Sequence, residues 1–314
     1  MSYASSTISS SERAYIERGI EIGVRNDGRS LLGMRSVRVV LGELPHAHGS
    51  ARCIVGASDT EIMVSVKAEL ITLIGSEAGV CGVECGARRL CGSGGGSTEC
   101  SDLAALLQDL LGAKGVVPLH ALTVVPGRWQ WKLYIDILVL ASDGGVVDAA
   151  ALAACAALQA TRLPGLRVLK SGLGGGREEI IDLQLNDDIS AAWALPVLAT
   201  LPLTLTLHYI RGNAVVDATG EELACATAVV SVGMNAGGAV TFLRCHGREG
   251  GTSRKNHAGG FGFGFGVGVG VEAAVTSPSK PSVSVSATSP KDVGIAISAA
   301  KALIPLLFKA LPQT

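Results

Sequence analysis

WKLYIDILVLASDGGVVDAAALAACAALQAT, residues Trp131 to Thr161, is the stretch that decides the fold. Trp131 to Leu140 is an apolar run of strand length, rich in Ile, Leu, Val and aromatic residues, and reads as a buried strand. Ala149 to Thr161 is Ala-rich and reads as a helix. Between them lies Ser142-Asp143-Gly144-Gly145-Val146-Val147-Asp148, a glycine turn from strand to helix. Such a turn is a ready anion site, because the first N–H groups of a helix are unpaired and its dipole is positive there. Past the glycines, however, stand Val146, Val147 and the acid Asp148, with no Arg, Lys, Ser or Thr. The geometry suits phosphate and the side chains do not.

The 314 residues are enough for one large domain or two modest ones. With 48% hydrophobic residues but only 4% aromatic, the core must be built from Val, Leu, Ile and Ala. The net charge of −1 excludes a chain that is basic overall, so any RNA contact must come from a local patch. Residues 1–14 are Ser-rich and lack an apolar core, so no secretory leader is expected. No run reaches the roughly 18 apolar residues of a membrane span, and no membrane partner is expected. The 8 cysteines are therefore read as reduced and intracellular.

Along the chain, residues 1–11 read as a disordered lead and Glu12 to Gly23 as a short helix. Val37, Val39 and Leu41 alternate on one strand; Ala51 to Gly56 and Ile62 to Leu70 form two more around a turn. Residues 75–98 read as a Gly/Cys-rich loop. A helix follows, with Ser101 or Asp102 as its N-cap and Leu103, Leu106, Leu107, Leu110 and Leu111 as its apolar face. A strand is expected at about 119–125. Beyond the central helix, Arg162 to Gly176 reads as a connector and Leu195 to Tyr209 as β, with Gly212-Asn213 as a hairpin turn. Val215 to Asp217 is the next strand, and Leu223 to Met234 pairs with Ala239 to Cys245. Residues 247–288 are low in complexity, Gly/Phe then Ser/Pro/Val, and read as a flexible insertion. Ser289-Pro290 opens a final amphipathic helix, residues 289–311.

Four segments in this order resemble the RNase PH-like ring subunits of the RNA exosome, of the non-catalytic type. They are Arg25-Asn26-Asp27-Gly28-Arg29, GSARCIVGASDTEIMVSVKAEL at 49–70, the strand–turn–helix at 131–158, and HYIRGNAVVDATGEELACATAVVSV at 208–232. With the last helix the resemblance covers about 12–246 and 289–311. It implies an α+β, RNase PH-like (ribosomal protein S5 domain 2-like) fold, with mixed sheets and packed helices. It divides residues 12–246 into two βαβα-type halves, about 12–165 and 177–246, with the last helix packed on the same domain.

Catalytic members of that family use phosphate to degrade RNA from its 3′ end, which needs a cationic phosphate pocket and carboxylates near the scissile bond. The resemblance implies a Thr-Arg or similar pair after the Asp-Gly-Gly turn. Val146 and Val147 stand there, and isopropyl groups cannot hydrogen-bond a phosphate. It also implies two acids six residues apart; Asp217 matches the first, Leu223 replaces the second, and Glu221 or Glu222 would restore a carboxylate only with a register shift. The helix near Asp102 carries arginines in catalytic members, whereas here its only base is Lys114.

The implied function is a non-catalytic, structural subunit of the 3′–5′ RNA degradation and processing complex, not an enzyme, in the nucleus, nucleolus and cytoplasm. Its partners would be other RNase PH-like subunits in a hetero-hexameric ring, S1/KH-type cap proteins and single-stranded RNA in the pore. The alternative is an active phosphate-dependent exoribonuclease with a composite site. Arg88, Arg89, Arg52 and Lys67 are candidate RNA contacts; a solvated pair in the loop and ordinary solvent-facing strand positions explain them equally well. Arg35 and Arg38 belong to the same alternating stripe. Arg25, Asp27 and Arg29 are candidates for an ion pair or turn that anchors the N-terminal segment to its own domain or to a neighbour. Cys81, Cys85, Cys91 and Cys100 lack a CxxC knuckle, and His46 and His48 sit in a loop, so no metal and no cofactor are expected.

Overall fold

In the computed structural model the described residues are 8–73, 83–89, 96–112, 116–171, 179–186, 188–196, 200–247, 283–284 and 290–311. The chain opens with α1 (Ser10–Glu21), started by a capping box in which Ser9 and Glu12 satisfy each other's backbone N–H groups. The first sheet takes in β1 (Val37–Leu41), β2 (Gly49–Val55), β3 (Thr60–Thr72) and β4 (Val83–Arg89). Next come α2 (Gly96–Leu111), α3 (Leu119–Leu122), β5 (Thr123–Val125), β6 (Trp129–Ala141) and α4 (Val146–Gln159). The second half runs β7 (Arg162–Leu163), β8 (Leu166–Ser171), β9 (Glu179–Leu185), β10 (Trp193–Ala194), β11 (Leu203–Ile210) and β12 (Asn213–Val216). It ends with α5 (Gly220–Cys225), β13 (Ala228–Met234), β14 (Val240–Gly247), β15 (Val283–Ser284) and α6 (Pro290–Ala310).

Two larger sheets organise most of these elements, with β7–β10 and β8–β9 as separate two-stranded pairs. One runs β1-β2-β3-β6-β4, with β5 on β6; the other runs β12-β11-β13-β14-β15. The long strands β3 and β6 pair antiparallel along their length, and β4 joins β6 in parallel. Helix α4 packs against β2 and β3 of the first sheet and β11 of the second. It is apolar all round and buried from Ala149 to Leu158, as a helix enclosed on every side must be. Its alanines have little side-chain entropy to lose and let both sheets approach. Helix α6 covers β13 and β11, so one core runs through both sheets. Ile16 and Ile20 of α1 close a second, smaller core with Ile210, Val215 and Cys225.

Several sequence expectations need correction. The helix of the 1–11 lead begins at Ser10, because Ser9 supplies the cap; residues 1–7 lie outside the described residues. Inside the expected loop 75–98, β4 forms, and Gln108 of α2 holds it by bonding the Cys85 N–H (2.8 Å) and the Val83 carbonyl (2.9 Å). The strand expected at 119–125 is the single-turn α3 followed by β5. The connector at 162–176 contains β8, paired with β9 in a hairpin. The expected strand from Leu195 begins only at Leu203, and its turn is Arg211-Gly212, both at positive φ (51° and 84°). The strand expected from Leu223 opens as α5, whose capping box joins Thr219 and Glu222. Within 247–288, Val283 and Ser284 add a parallel strand to Leu243 and Arg244; residues 248–282 lie outside the described residues.

Candidate functional site: an arginine-clamped aspartate at the start of α4

The turn before α4 is shaped by its glycines and tied down by three other segments. Gly144 and Gly145 have φ of 80° and 62°, and a Cβ on Gly144 would overlap the Ala218 carbonyl oxygen. Thr60, buried at the start of β3, donates to the Gly144 carbonyl (2.7 Å) and accepts from the Asp143 N–H (3.0 Å). Asp143 in turn accepts from the Gly220 N–H at 2.9 Å. The turn, β3 and the loop after β12 are thus one hydrogen-bonded unit.

Against this turn lies Asp217. It follows β12 in the left-handed region (φ 50°), where Asp is tolerated better than most residues. Its carboxylate accepts from Arg29 Nη1 (2.8 Å), the Arg35 backbone N–H (2.8 Å), Arg35 Nε (2.9 Å) and Arg35 Nη2 (2.6 Å). A Cβ placed on Gly145 would stand 2.8 Å from Asp217 Oδ1, so the carboxylate touches the N-cap of α4. Burial alone would raise the Asp217 pKa; the hydrogen bonds and charge of Arg35, with the charge of Arg29, outweigh it and hold the group below the usual carboxylate range. Arg35 also donates to the Asp143 carbonyl (3.0 Å).

Arg25 makes a second pair behind the first. Its side chain is wholly buried and grips Glu222 with two bonds of 2.9 and 2.6 Å. It also donates to the Val216 (3.1 Å) and Asp217 (3.0 Å) carbonyls. Asp27 is bound by Arg29 at 2.7 Å. Arg25, Asp27 and Arg29, one motif in the sequence, therefore meet Asp217 at this corner, beside the turn that leads into Val146 and Val147. Leu223 does not: it packs into the α1 core, and Glu222 faces Arg25. Val147 is buried and Val146 half-buried.

Asp148 points the other way. It accepts from the Thr206 N–H and hydroxyl, both at 2.8 Å, just where β12 has ended and β11 has lost its partner on that side. Burial pushes its pKa up to about 7. His208, two residues along β11, is pushed down to about 4 by burial.

The candidate RNA contacts lie elsewhere. Cross-strand register places Arg52, Lys67 and Arg88 on the outer face of the first sheet, with Lys132 and Arg38. Arg89 turns to the opposite face and meets Glu99 of α2 at 3.3 Å. Acids are interleaved on the outer face: Arg52 bonds Glu61 (2.7 Å) and Lys132 pairs with Glu84 (2.6 Å). Lys67 lines an open hollow of about 470 Å³ with His46, His48, Glu69, Tyr134 and Asp136. Arg35 leaves the stripe entirely, since it precedes β1. Its role was invisible from spacing, because its partner is 182 residues away. No group of three or more His, Cys, Asp or Glu among the described residues is arranged to hold a metal. Of the four cysteines weighed for zinc, Cys81 and Cys91 lie outside the described residues.

The model of the 3′ exoribonuclease family, domain 1 (RNase PH), matches residues 33–164. The Schizosaccharomyces pombe exosome complex component rrp42 is 31% identical over 262 residues, 79% of this chain and 85% of that protein. A Dictyostelium discoideum protein whose name carries the words exosome complex exonuclease RRP42 is 30% identical, covering 73% of this chain and 84% of its own. An Archaeoglobus fulgidus exosome subunit, from a structure with RNA bound to the active site, shares the fold: TM-score 0.58, 23% identity, 75% of this chain and 87% of that one. The chain belongs to the RNase PH family of 3′ exoribonucleases. Within it, the chain is Rrp42-like.

Proposed function

We propose that this chain is a non-catalytic, structural subunit of an exosome-type 3′–5′ RNA degradation and processing complex. It completes a hetero-hexameric ring of RNase PH-like subunits around an RNA channel. The observation that carries the non-catalytic reading is the clamped Asp217. Phosphorolysis requires a phosphate held by cations beside the scissile bond. Here the charges of Arg29 and Arg35 meet Asp217, and that of Arg25 meets Glu222. Val146 and Val147 add no donor at the helix start, and Asp217 is bound on both oxygens, so it is not placed to handle a metal or a proton. The partners we assign are other RNase PH-like subunits, S1/KH-type cap proteins and single-stranded RNA, in nucleus, nucleolus and cytoplasm. The sheet face with Arg52, Lys67 and Arg88 suits diffuse contacts to phosphates rather than base reading.

The test has two arms. Native mass spectrometry of the tagged endogenous protein should find it at one copy among several RNase PH-like chains. Purified alone, it should release no nucleoside diphosphates from RNA in inorganic phosphate. Isolation only as a homo-oligomer would end the ring reading. Phosphate-dependent release that disappears in Asp217→Asn would end the non-catalytic one.

A further inference from the structure

The carboxylate of Asp217 is bound the way a free anion is bound. Four N–H groups from Arg29 and Arg35 converge on its two oxygens at 2.6–2.9 Å. It is 5% exposed, and it lies beside Gly145, the N-cap of a 14-residue helix whose positive end favours negative charge. The donors come from the 29–35 segment, not from the residues following the glycine turn, where only Val146 and Val147 stand. We propose that Arg29 and Arg35 form an anion site for a small, singly charged carboxylate, filled in cis by Asp217, and that formate or acetate occupies it when the Asp217 side chain is removed.

The ligand class follows from shape and charge. Arg35 offers Nε and Nη2 as a fork, which matches the two oxygens of a planar carboxylate. The rim is acidic: Asp59 and Asp143 each lie 3.7 Å from Arg35 Nη1. A phosphate dianion would bring two charges beside these acids, whereas a monoanion leaves the corner balanced as Asp217 does. Tethering also decides the occupant in the intact chain. A side chain held next to its site has an effective concentration of at least millimolar order, so free anions at lower levels do not displace it. The site is thereby closed to phosphate without any change in the backbone around it. The Asp217 corner would bind a carboxylate in this way whether or not the chain sits in a ring.

Asp217→Gly tests it, because glycine accepts a φ of 50° without strain and leaves a cavity of carboxylate size. Thermal unfolding of the full chain is followed in chloride, formate and phosphate at matched ionic strength. The wild type should show only the general salt effect, with phosphate raising its Tm above that in chloride, and each variant is read as its difference from the wild type in the same salt. Asp217→Gly should unfold several degrees lower in chloride and recover most of that loss in formate, saturably, with phosphate less effective. The carboxamide of Asp217→Asn still fills the space, so this variant should not respond. Asp217→Gly/Arg35→Leu should lose the formate response. If Asp217→Gly does not fold in chloride, recovery of soluble, cooperatively unfolding protein on refolding in formate supports the site, and failure in both salts refutes it. An equal response in wild type and variant, no response in a folded variant, or a response to phosphate but not formate would overturn the assignment.

Discussion

Arg25 and Glu222 should be the most costly charged pair among the described residues to break on one side. The Arg25 side chain is 0% exposed and that of Glu222 5%. Replacing Arg25 with Met preserves most of the volume but removes six bonds: two to Glu222 (2.9 and 2.6 Å) and one each to the Val216 (3.1 Å), Asp217 (3.0 Å), Gly33 (3.3 Å) and Ser30 (3.5 Å) carbonyls. It leaves the Glu222 carboxylate buried without its cation, while the Asp217 carbonyl keeps only its bond from Arg29 Nη2 (3.1 Å). Breaking a buried pair from one side costs roughly 3–5 kcal/mol, because the surviving charge keeps its desolvation cost without its partner. Glu222→Gln keeps the hydrogen-bonding shape and the α5 cap, so it should cost less, about 2 kcal/mol. The double variant removes both charges and should cost at least about 2 kcal/mol less than the sum of the singles. Urea unfolding of all four proteins, checked for a common m value, gives the cycle. Glu17→Gln is the internal control. It breaks a pair with Arg211, whose side chain is 63% exposed, and should cost no more than about 1 kcal/mol. If Arg25→Met costs no more than Glu17→Gln, or if the cycle is additive, the corner is not held as described.

Three further outcomes follow from the same geometry. Gly144→Ala combines a positive φ with overlap of the Ala218 carbonyl, and should cost more than about 2 kcal/mol in urea unfolding; a neutral result would mean that the turn can move. Asp148, raised to about 7 from 3.8, holds a proton in the folded state that the unfolded chain releases above about pH 4. Its contribution is therefore complete below pH 4 and lost as pH rises through 7. His208, lowered to about 4 from 6.5, runs the other way: its contribution is complete above 6.5 and lost as pH falls through 4. Asp148→Asn should unmask the histidine's acid sensitivity, so its urea midpoint should fall more steeply than the wild type's between pH 6.5 and 4.5; parallel profiles would refute the opposition. Burial pushes the Cys53 thiol up to about 12 and that of Cys155 higher. Both should stay unmodified by iodoacetamide at pH 8 until urea is added, as peptide mass mapping would register.

The strand, glycine turn and helix at 131–161 were legible because each carries a local signal: length and composition for β6, glycine for the turn, and alanine for α4. What failed locally was decided elsewhere in the chain. The β4 strand has Gly86 at its centre and none of the usual β-rich pattern; its place comes from β6 on one side and Gln108 on the other. The six residues of α5 are too few for a helical period to register, and its capping box shows only when Thr219 is read against Glu222. Arg35 looked like one more cation in an alternating stripe, since neither its partner Asp217 nor the turn carbonyl it bonds is near it in sequence. The pair Arg88 and Arg89, expected in a loop, lies on β4 instead, where register puts Arg88 on the face of Arg52 and Lys67 and sends Arg89 to the other.

The two valines after the glycine turn were read as a loss, a helix start deprived of its donors. The structure gives them a different sense. A helix N-terminus buried between sheets still needs a negative partner for its unpaired N–H groups. Asp217 brings a carboxylate from beyond β12 to the N-cap Gly145, and its charge is met by Arg29 and Arg35 from the segment before β1. With the anion internal, side-chain donors at the first helical positions have no ligand to hold, and apolar side chains there gain by burial; Val147 is 4% exposed. The valines and the arginine clamp are thus one arrangement. Restoring polar residues at 146 and 147 alone would not reopen the corner, because the carboxylate would still occupy it.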